Sequence, residues 1–195
     1  MALVVAAGYS RRFGKQDKRA ARLANGKTLL AASLSSVVDC FSQWRLVLRD
    51  DDQPSALGLP ENTPVVASAR AAQGQGASMG DGFAALLADE QLSECHSAAV
   101  VLGDMPLLSV KTLQALCAQA GRRAIVRPIY LGQQGHPVLF GRDFWAELAR
   151  LDGDNGARAV IERYREYYRE IAVSDAGVCT DADTPEDLKL LGWDH

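Results

Sequence analysis

The chain has 195 residues, 48% of them hydrophobic, and a formal net charge of −3. This length and apolar content suit one well-buried domain, so we expect a single domain over 1–195, and the nearly balanced charge disfavours a nucleic-acid partner. The sequence has no apolar run of about 20 residues, no signal-peptide pattern and no closely spaced cysteines, which predicts a cytoplasmic protein without membrane association, zinc site or redox motif.

Short apolar runs alternate with amphipathic stretches, which is the βα pattern of a mostly parallel sheet. Strands are predicted at 3–6, 45–48, 65–67, 98–102, 124–127 and 168–173, and helices at 28–39, 78–89, 110–120, 143–151, 156–166 and 184–191. The run 98–102 is apolar throughout, so helices should cover both faces of the sheet. Glycines and a proline within 129–140 predict an antiparallel excursion. The acidic stretch 50–63 is predicted to be a loop.

A glycine-punctuated loop follows the first predicted strand. It carries the cations Arg11, Arg12, Lys15 and Lys18. Such a loop exposes backbone N–H groups to phosphate oxygens while its cations neutralise the remaining charge, which predicts a polyphosphate site. Five residues separate Gly8 from Gly14, one more than in a Walker A loop, and Gln16 replaces its Ser or Thr, so a P-loop ATPase or GTPase is disfavoured. The alternative is a solvated basic loop.

Asp104 follows the buried strand 98–102 in the segment Gly-Asp-Met-Pro. Ligands of open α/β sheets bind at this end of the strands, and a carboxylate facing a cationic phosphate loop suits Mg²⁺. The alternative is a cap or turn residue before Pro106. Asp181 and Asp183 lie two residues apart and either offers a second metal carboxylate, although the same segment is an ordinary helix start with Thr184 as its cap.

Three further polar segments carry candidate ligand groups. His136, in the glycine-rich segment 132–140, is either a contact to an acceptor substrate or a structural histidine, and Arg158 is a candidate for binding a second anion. The glycines of 73–80 are spaced one residue too widely for a dinucleotide fingerprint, which disfavours NAD. This segment is predicted to open a helix at Ser78 and to offer N–H groups and a hydroxyl to a base or ribose.

Together these segments resemble the molybdenum cofactor cytidylyltransferases, the MocA-like family among the MobA-like NTP transferases. The motifs, in chain order, are A-A-G-x-S-x-R-x-G at 6–14, Lys18, G-D-M-P at 103–106, G-H-P-V-L-F at 135–140, G-D-x-G-A-R at 153–158 and D-x-D-T-P-E-D-L at 181–188. The resemblance implies a Rossmann-like three-layer sandwich of the nucleotide-diphospho-sugar transferase type. It also implies Mg²⁺-dependent transfer of CMP from CTP to molybdopterin, with release of pyrophosphate.

The resemblance assigns roles to individual residues. Nucleotide binding falls on Ala6, Ala7, Gly8, Ser10, Arg11, Arg12, Gly14, Lys18 and Gly103, to which the segment 73–80 adds Gly76 and Ser78 on the strength of its own residues. Acceptor binding falls on Gly135, His136, Pro137, Asp154 and Arg158, metal binding on Asp104 and Asp183, and catalysis on Lys18, Arg12 and Asp104. An anionic acceptor phosphate needs positioning and charge neutralisation rather than a general base, which agrees with this inventory.

Other functions fit part of the pattern. Ala7 and the G-H-P-V-L-F segment favour CTP, whereas the spacing from Gly14 to Lys18 resembles the guanylyl-transferring relatives that use GTP. A sugar- or polyol-phosphate nucleotidyltransferase and a non-catalytic nucleotide-binding module are the further alternatives. The presence of Lys18 with both metal carboxylates favours an enzyme, whose product would pass to a molybdoenzyme or its chaperone.

Overall fold

The computed structural model describes residues 1–9, 13, 16–154 and 156–190, in which eight strands form one sheet. The strands are β1 Ala2–Val5, β2 Trp44–Arg49, β3 Val65–Ser68, β4 Ser97–Leu102, β5 Ile125–Tyr130, β6 Gln133–Gln134, β7 Val138–Gly141 and β8 Tyr168–Ala172. Their order across the sheet is β3-β2-β1-β4-β7-β5-β6, and β8 pairs with β5.

Six α-helices are present in the described part of the chain, joined by short 3-10 turns. They are α1 Leu29–Cys40, α2 Gln75–Ala88, α3 Val110–Cys117, α4 Trp145–Leu148, α5 Arg158–Arg163 and α6 Pro185–Leu190. Thr28 caps α1 by accepting a hydrogen bond from the backbone N–H of Ala31, and Ser109 caps α3 in the same way. Within the described ranges, no helix is long and apolar enough to cross a membrane.

The sheet has a parallel half and a mixed half. β1 pairs in parallel with both β2 and β4, and β3 with β2, whereas β7 runs antiparallel between β4 and β5 and β8 returns parallel to β5. This confirms the predicted α/β fold with an antiparallel excursion.

Helices cover both faces of the sheet, because the side chains of each buried strand alternate between two apolar clusters. On β4, Val101 packs in the cluster that includes α1 and α3, and Val100 packs in the cluster that includes α2 and α4. On this second face, Phe83 of α2 lies 5.9 Å from Trp145 of α4, ring centre to ring centre. The three-layer arrangement predicted from the resemblance is therefore confirmed.

Several element boundaries differ from the sequence prediction. α2 begins at Gln75 rather than at residue 78, because Gly74 takes a left-handed φ of 125° and turns the chain directly into the helix. The predicted helix 143–151 is a 3-10 turn followed by the single turn of α4, and 156–166 contains only α5 and a further 3-10 turn.

The topology brings the ends of β1 and β4 together at one edge. Val5 pairs with Leu102, so the residues that follow, Ala6 and Gly103, are also neighbours. A Cβ on Gly103 would lie 2.6 Å from the Cβ of Ala6, so only glycine permits this approach. Asp104 is thereby delivered beside the loop that follows β1.

Candidate active site

A cavity of about 420 Å³ opens at the carboxyl ends of β1 and β4. Of the residues predicted to bind nucleotide or metal, it is lined by Ala6, Gly8, Lys18, Ser78, Gly103, Asp104 and Asp183. Ser10, Arg11, Arg12 and Gly14 lie outside the described residues, as does Lys15. Ala7 is fully buried in the core cluster beside α2. We call this space the first cavity.

Lys18 joins the two predicted metal carboxylates. Its Nζ donates to Oδ2 of Asp104 at 2.7 Å and to Oδ1 of Asp183 at 2.9 Å, although these residues lie 86 and 165 positions away in the chain. The Lys18 side chain is only 8% exposed. Burial lowers the pKa of Lys18, but the two carboxylates outweigh it and hold the pKa above its usual value, so the ammonium is charged at neutral pH.

The structure places Asp181 and Asp183, the two candidate metal ligands of the last motif, in different surroundings. The backbone N–H of Ala182 donates to the carbonyl of Asp104 at 3.0 Å, which places this segment alongside the first cavity. Asp183 lines the cavity, whereas Asp181 is exposed. Burial and the neighbouring Asp183 and Asp104 raise the pKa of Asp181. Asp183 is therefore the better placed partner for Asp104.

An unpartnered oxygen of Asp104 also favours the binding of a hard cation at Asp104 and Asp183. Oδ1 of Asp104 is buried and has no hydrogen-bond partner within the described ranges, although its other oxygen is bound to Lys18. Carboxylate oxygens are the ligands that Mg²⁺ prefers, and Mg²⁺ takes one or two of them together with phosphate oxygens and water. Residues 1–9, 13, 16–154 and 156–190 contain no group of three or more His, Cys, Asp or Glu side chains placed to hold a metal ion.

A buried ionic network, which the sequence did not predict, joins the two ends of the loop. Arg19, 4% exposed, donates to Asp17 and Asp52 and to the carbonyl of Ala6. Burial lowers the pKa of Arg19, but both carboxylates raise it further than burial lowers it. The available signal was the run of three aspartates after β2, which places a carboxylate at the same sheet edge as the loop.

The network continues toward the solvent. Arg49, at the end of β2, donates to Oδ2 of Asp17 at 2.9 Å, and its guanidinium lies 4.7 Å from the centre of the Tyr9 ring. Burial raises the pKa of Asp17, but its bonds and charge interactions with Arg19 and Arg49 lower it below its usual value. Tyr9 lines the first cavity, so this network reaches the cavity wall.

The start of α2 forms another wall of the first cavity. Ser78 is 2% exposed, and its hydroxyl donates to the carbonyl of Gly74 at 3.3 Å. Gly74 and Gln75 line the cavity, whereas Gly76, the predicted contact, packs beside the carbonyl of Gly153 instead. The helix begins three residues earlier than predicted, which moves the cavity-facing glycine from position 76 to 74.

A second cavity of about 560 Å³ adjoins the first. Of the predicted acceptor residues it is lined by His136, Asp154 and Arg158. It is also lined by Arg127, Gln134, Arg165 and Tyr168, none of which the sequence singled out. Gln75 and Asp154 line both cavities, so the two spaces share a wall.

His136 is a neutral polar group in the second cavity. Burial, followed by the nearby charge of Arg127, lowers the pKa of His136 to about 4. Its Nδ1 is buried and has no hydrogen-bond partner in the described part of the chain. Gly135 packs against the carbonyl of Val178, which accepts from the backbone N–H of His136 at 2.7 Å, and Pro137 follows through a cis peptide bond. Gly135 and Pro137 therefore flank and hold His136 without lining the cavity themselves.

Arg158 lies at the start of α5 and is largely exposed. Its side chain is 85% exposed and pairs with Glu162, one turn further along the same helix, at 2.8 Å. The guanidinium is therefore accessible to an anion that enters the second cavity.

Comparison with known proteins gives the family. The MobA-like NTP transferase domain family matches residues 2–168, so the chain belongs to that family and is a nucleotidyltransferase. No curated protein sequence matches the chain.

Solved structures agree with this membership. The structure of Rv0371c from Mycobacterium tuberculosis H37Rv is 28% identical, with a TM-score of 0.80 over 100% of this chain and 98% of that one. A complex of Rv0371C with manganese is 26% identical, with a TM-score of 0.77 over 98% and 96% of the two chains. Molybdopterin-guanine dinucleotide biosynthesis protein A from Archaeoglobus fulgidus is 21% identical, with a TM-score of 0.66 over 98% and 96%, a likeness in fold.

Proposed function

We propose that the protein transfers CMP from CTP to the terminal phosphate of molybdopterin, in a Mg²⁺-dependent reaction that releases pyrophosphate. The observation that carries this proposal is the pair of adjoining cavities. The first holds a buried lysine between two carboxylates, and the second holds cationic and neutral polar groups, so a triphosphate and an anionic acceptor can meet at their shared wall.

The first cavity is assigned to the nucleotide. Gly8, Ser78 and Gly103 line it, and the family resemblance assigns Ser10, Arg11, Arg12 and Gly14 to the phosphates as well. Lys18 would place its charge on the α-phosphate, where negative charge develops as the acceptor attacks. The ammonium is already charged and buried, so it needs no protonation step.

Asp104 and Asp183 are the residues that would hold Mg²⁺. The ion, when bound, neutralises phosphate charge and aligns the reacting oxygens. A manganese complex of the 26% identical Rv0371C supports a divalent metal in this fold. In the chain itself, the two carboxylates hold Lys18 in place, since each accepts one hydrogen bond from its Nζ.

The second cavity is assigned to molybdopterin. Arg127, Arg158 and Arg165 line it and can neutralise the acceptor phosphate, which is itself the nucleophile and is already anionic near pH 7. His136 is neutral at that pH, so its role is to hydrogen-bond the acceptor rather than to pair with its phosphate. Asp154, on the shared wall, would position the acceptor beside the nucleotide.

GTP is the alternative donor. The spacing from Gly14 to Lys18 resembles the guanylyl-transferring relatives, and one structural neighbour is named for molybdopterin-guanine dinucleotide biosynthesis. Ala7 and the G-H-P-V-L-F segment favour CTP by the same kind of resemblance. A molybdoenzyme or its chaperone would then receive the product.

Pyrophosphate release with each of the four NTPs, with and without molybdopterin and Mg²⁺, tests the proposal. We expect turnover only when molybdopterin, Mg²⁺ and CTP are all present. Turnover with GTP would identify GTP as the donor instead. Turnover with a sugar phosphate or polyol phosphate in place of molybdopterin would identify a different acceptor. Nucleotide binding without any transfer would indicate a binding module.

A further inference from the structure

Arg19 connects the two ends of the phosphate loop. Its Nη1 donates to the carbonyl of Ala6, directly after β1, at 2.7 Å. Its Nε and Nη2 donate to the carboxylate of Asp17, where the loop ends, at 2.9 and 2.7 Å. One buried guanidinium thus bridges the chain before and after the loop.

Asp52 fixes this bridge to the sheet. Its two carboxylate oxygens accept from Nη1 and Nη2 of Arg19 at 2.5 and 2.7 Å. Oδ2 of Asp52 also accepts from the backbone N–H of Arg49, the last residue of β2, at 2.9 Å. The guanidinium is therefore held by groups on three separate segments of the chain.

Lys18 lies between the two residues of this bridge. Asp17 caps the 3-10 turn Lys18–Ala20 by accepting from the backbone N–H of Arg19 at 3.0 Å. The Arg19 side chain holds the carboxylate of this cap, Asp17, while Lys18 reaches Asp104 and Asp183. The lysine therefore lies on a turn whose capping side chain is held by Arg19.

We propose that Arg19 and Asp52 are positioning residues of the transfer reaction: they hold Ala6 and Asp17, on either side of the phosphate loop, beside the end of β2 and thereby fix Lys18 at the reacting phosphate. The importance of Lys18 here rests on the proposed function. Arginine is required because its planar fork serves three partners at once, whereas the single ammonium of a lysine cannot span them. Misplacing a catalytic group by about 1 Å costs on the order of 10²-fold in rate.

Arg19→Lys tests this proposal against Arg45→Lys. Arg45 is likewise paired with an aspartate, Asp89, and is mostly buried, but it lies near the opposite end of β2. We expect Arg19→Lys to lower kcat on the order of 10²-fold with little change in the KM for CTP, and Arg45→Lys to leave both constants unchanged.

Acylation of Lys18, followed by mass spectrometry, gives a readout that needs no turnover. Lys18 is buried and bonded, so it should react slowly in the wild type and in Arg45→Lys, and several-fold faster in Arg19→Lys. Should Arg19→Lys fail to fold, Asp52→Asn, which preserves shape, is expected to give a smaller loss of kcat and the same direction of change in acylation.

Unchanged Lys18 acylation in folded Arg19→Lys or Asp52→Asn would overturn the proposal, as would a rise in KM with wild-type kcat. If the wild type transfers no nucleotide with any NTP, the proposed function fails, while acylation still decides whether Arg19 fixes Lys18.

Discussion

The two cavities differ in how their charged side chains are held. In the first cavity, Lys18 and Arg19 are buried and bonded to carboxylates from distant parts of the chain. In the second, Arg158 is 85% exposed, and its partner Glu162 lies on the same helix. Buried pairs are screened little by salt and keep one geometry, whereas exposed pairs contribute little to stability and exchange partners readily.

The two arrangements suit different roles toward the two proposed substrates. The charges around Lys18 are set in place before any ligand arrives, which is the arrangement that electrostatic stabilisation of a transition state requires. The exposed Arg158 of the second cavity can reorient toward an incoming anion. Substitutions in the first cavity should therefore reduce the rate of reaction, and substitutions in the second should weaken acceptor binding.

The largest effect is expected for Asp104→Asn. The amide preserves the shape of the side chain but removes its charge, which removes a proposed metal ligand and weakens the pairing with Lys18. We expect kcat to fall on the order of 10³-fold, measured by pyrophosphate release. The exposed Asp143, paired with Arg122 and Arg123, gives the control Asp143→Asn, which should keep wild-type activity. Undiminished turnover in Asp104→Asn would disprove the metal assignment.

Lys18→Met should have the next largest effect. The substitution removes the ammonium that lies between Asp104 and Asp183, and with it the charge placed at the α-phosphate. We expect kcat to fall on the order of 10²-fold and the dissociation constant for CTP, from calorimetry, to change far less. Lys27→Met, at an exposed lysine bonded to Ser35, is the matched control. A loss confined to affinity would refute the transition-state role.

The lowered pKa of His136 should make the stability of the protein depend on pH. The pKa of His136 is about 4 in the folded protein because the ring is buried, against an ordinary value of 6.5. Between these values the unfolded chain binds more protons, so the free energy of unfolding falls as the pH drops from about 6.5 to about 4, by roughly 3 kcal/mol.

Urea titrations across this pH range measure how steeply the free energy of unfolding changes with pH. His136→Gln should flatten this dependence, and His96→Gln, at an exposed histidine, should keep it. An unchanged slope in His136→Gln would show that folding does not lower the pKa of His136, and would contradict its description as a buried neutral group.

The smallest effect is expected for Arg158→Ala. Its exposed guanidinium is one of several cations around the second cavity, so the KM for molybdopterin should rise about fivefold, equivalent to about 1 kcal/mol, while the KM for CTP stays constant. Arg163, on the same helix but paired with Glu147 and outside the cavity lining, provides the control Arg163→Ala. A rise in the KM for CTP instead would contradict the assignment of the two cavities.

Local sequence patterns predicted the first cavity better than the second. A buried strand followed by Asp104, and a glycine-rich loop followed by Lys18, are local signals whose meeting follows from the rule that parallel strands end at one edge. The pairing of Arg19 with Asp52 was missed because the two residues lie 33 positions apart and neither local sequence indicates its partner. Arg127 and Tyr168 face one cavity only because β8 pairs with β5, a contact without any local signature.

A crystal structure with a non-hydrolysable CTP analogue and Mn²⁺ would locate the nucleotide and the metal together. We expect an anomalous manganese peak coordinated by Asp104 and Asp183, with the triphosphate in the first cavity and Nζ of Lys18 at the α-phosphate. A manganese peak away from both carboxylates, or a triphosphate bound in the second cavity, would contradict this expectation.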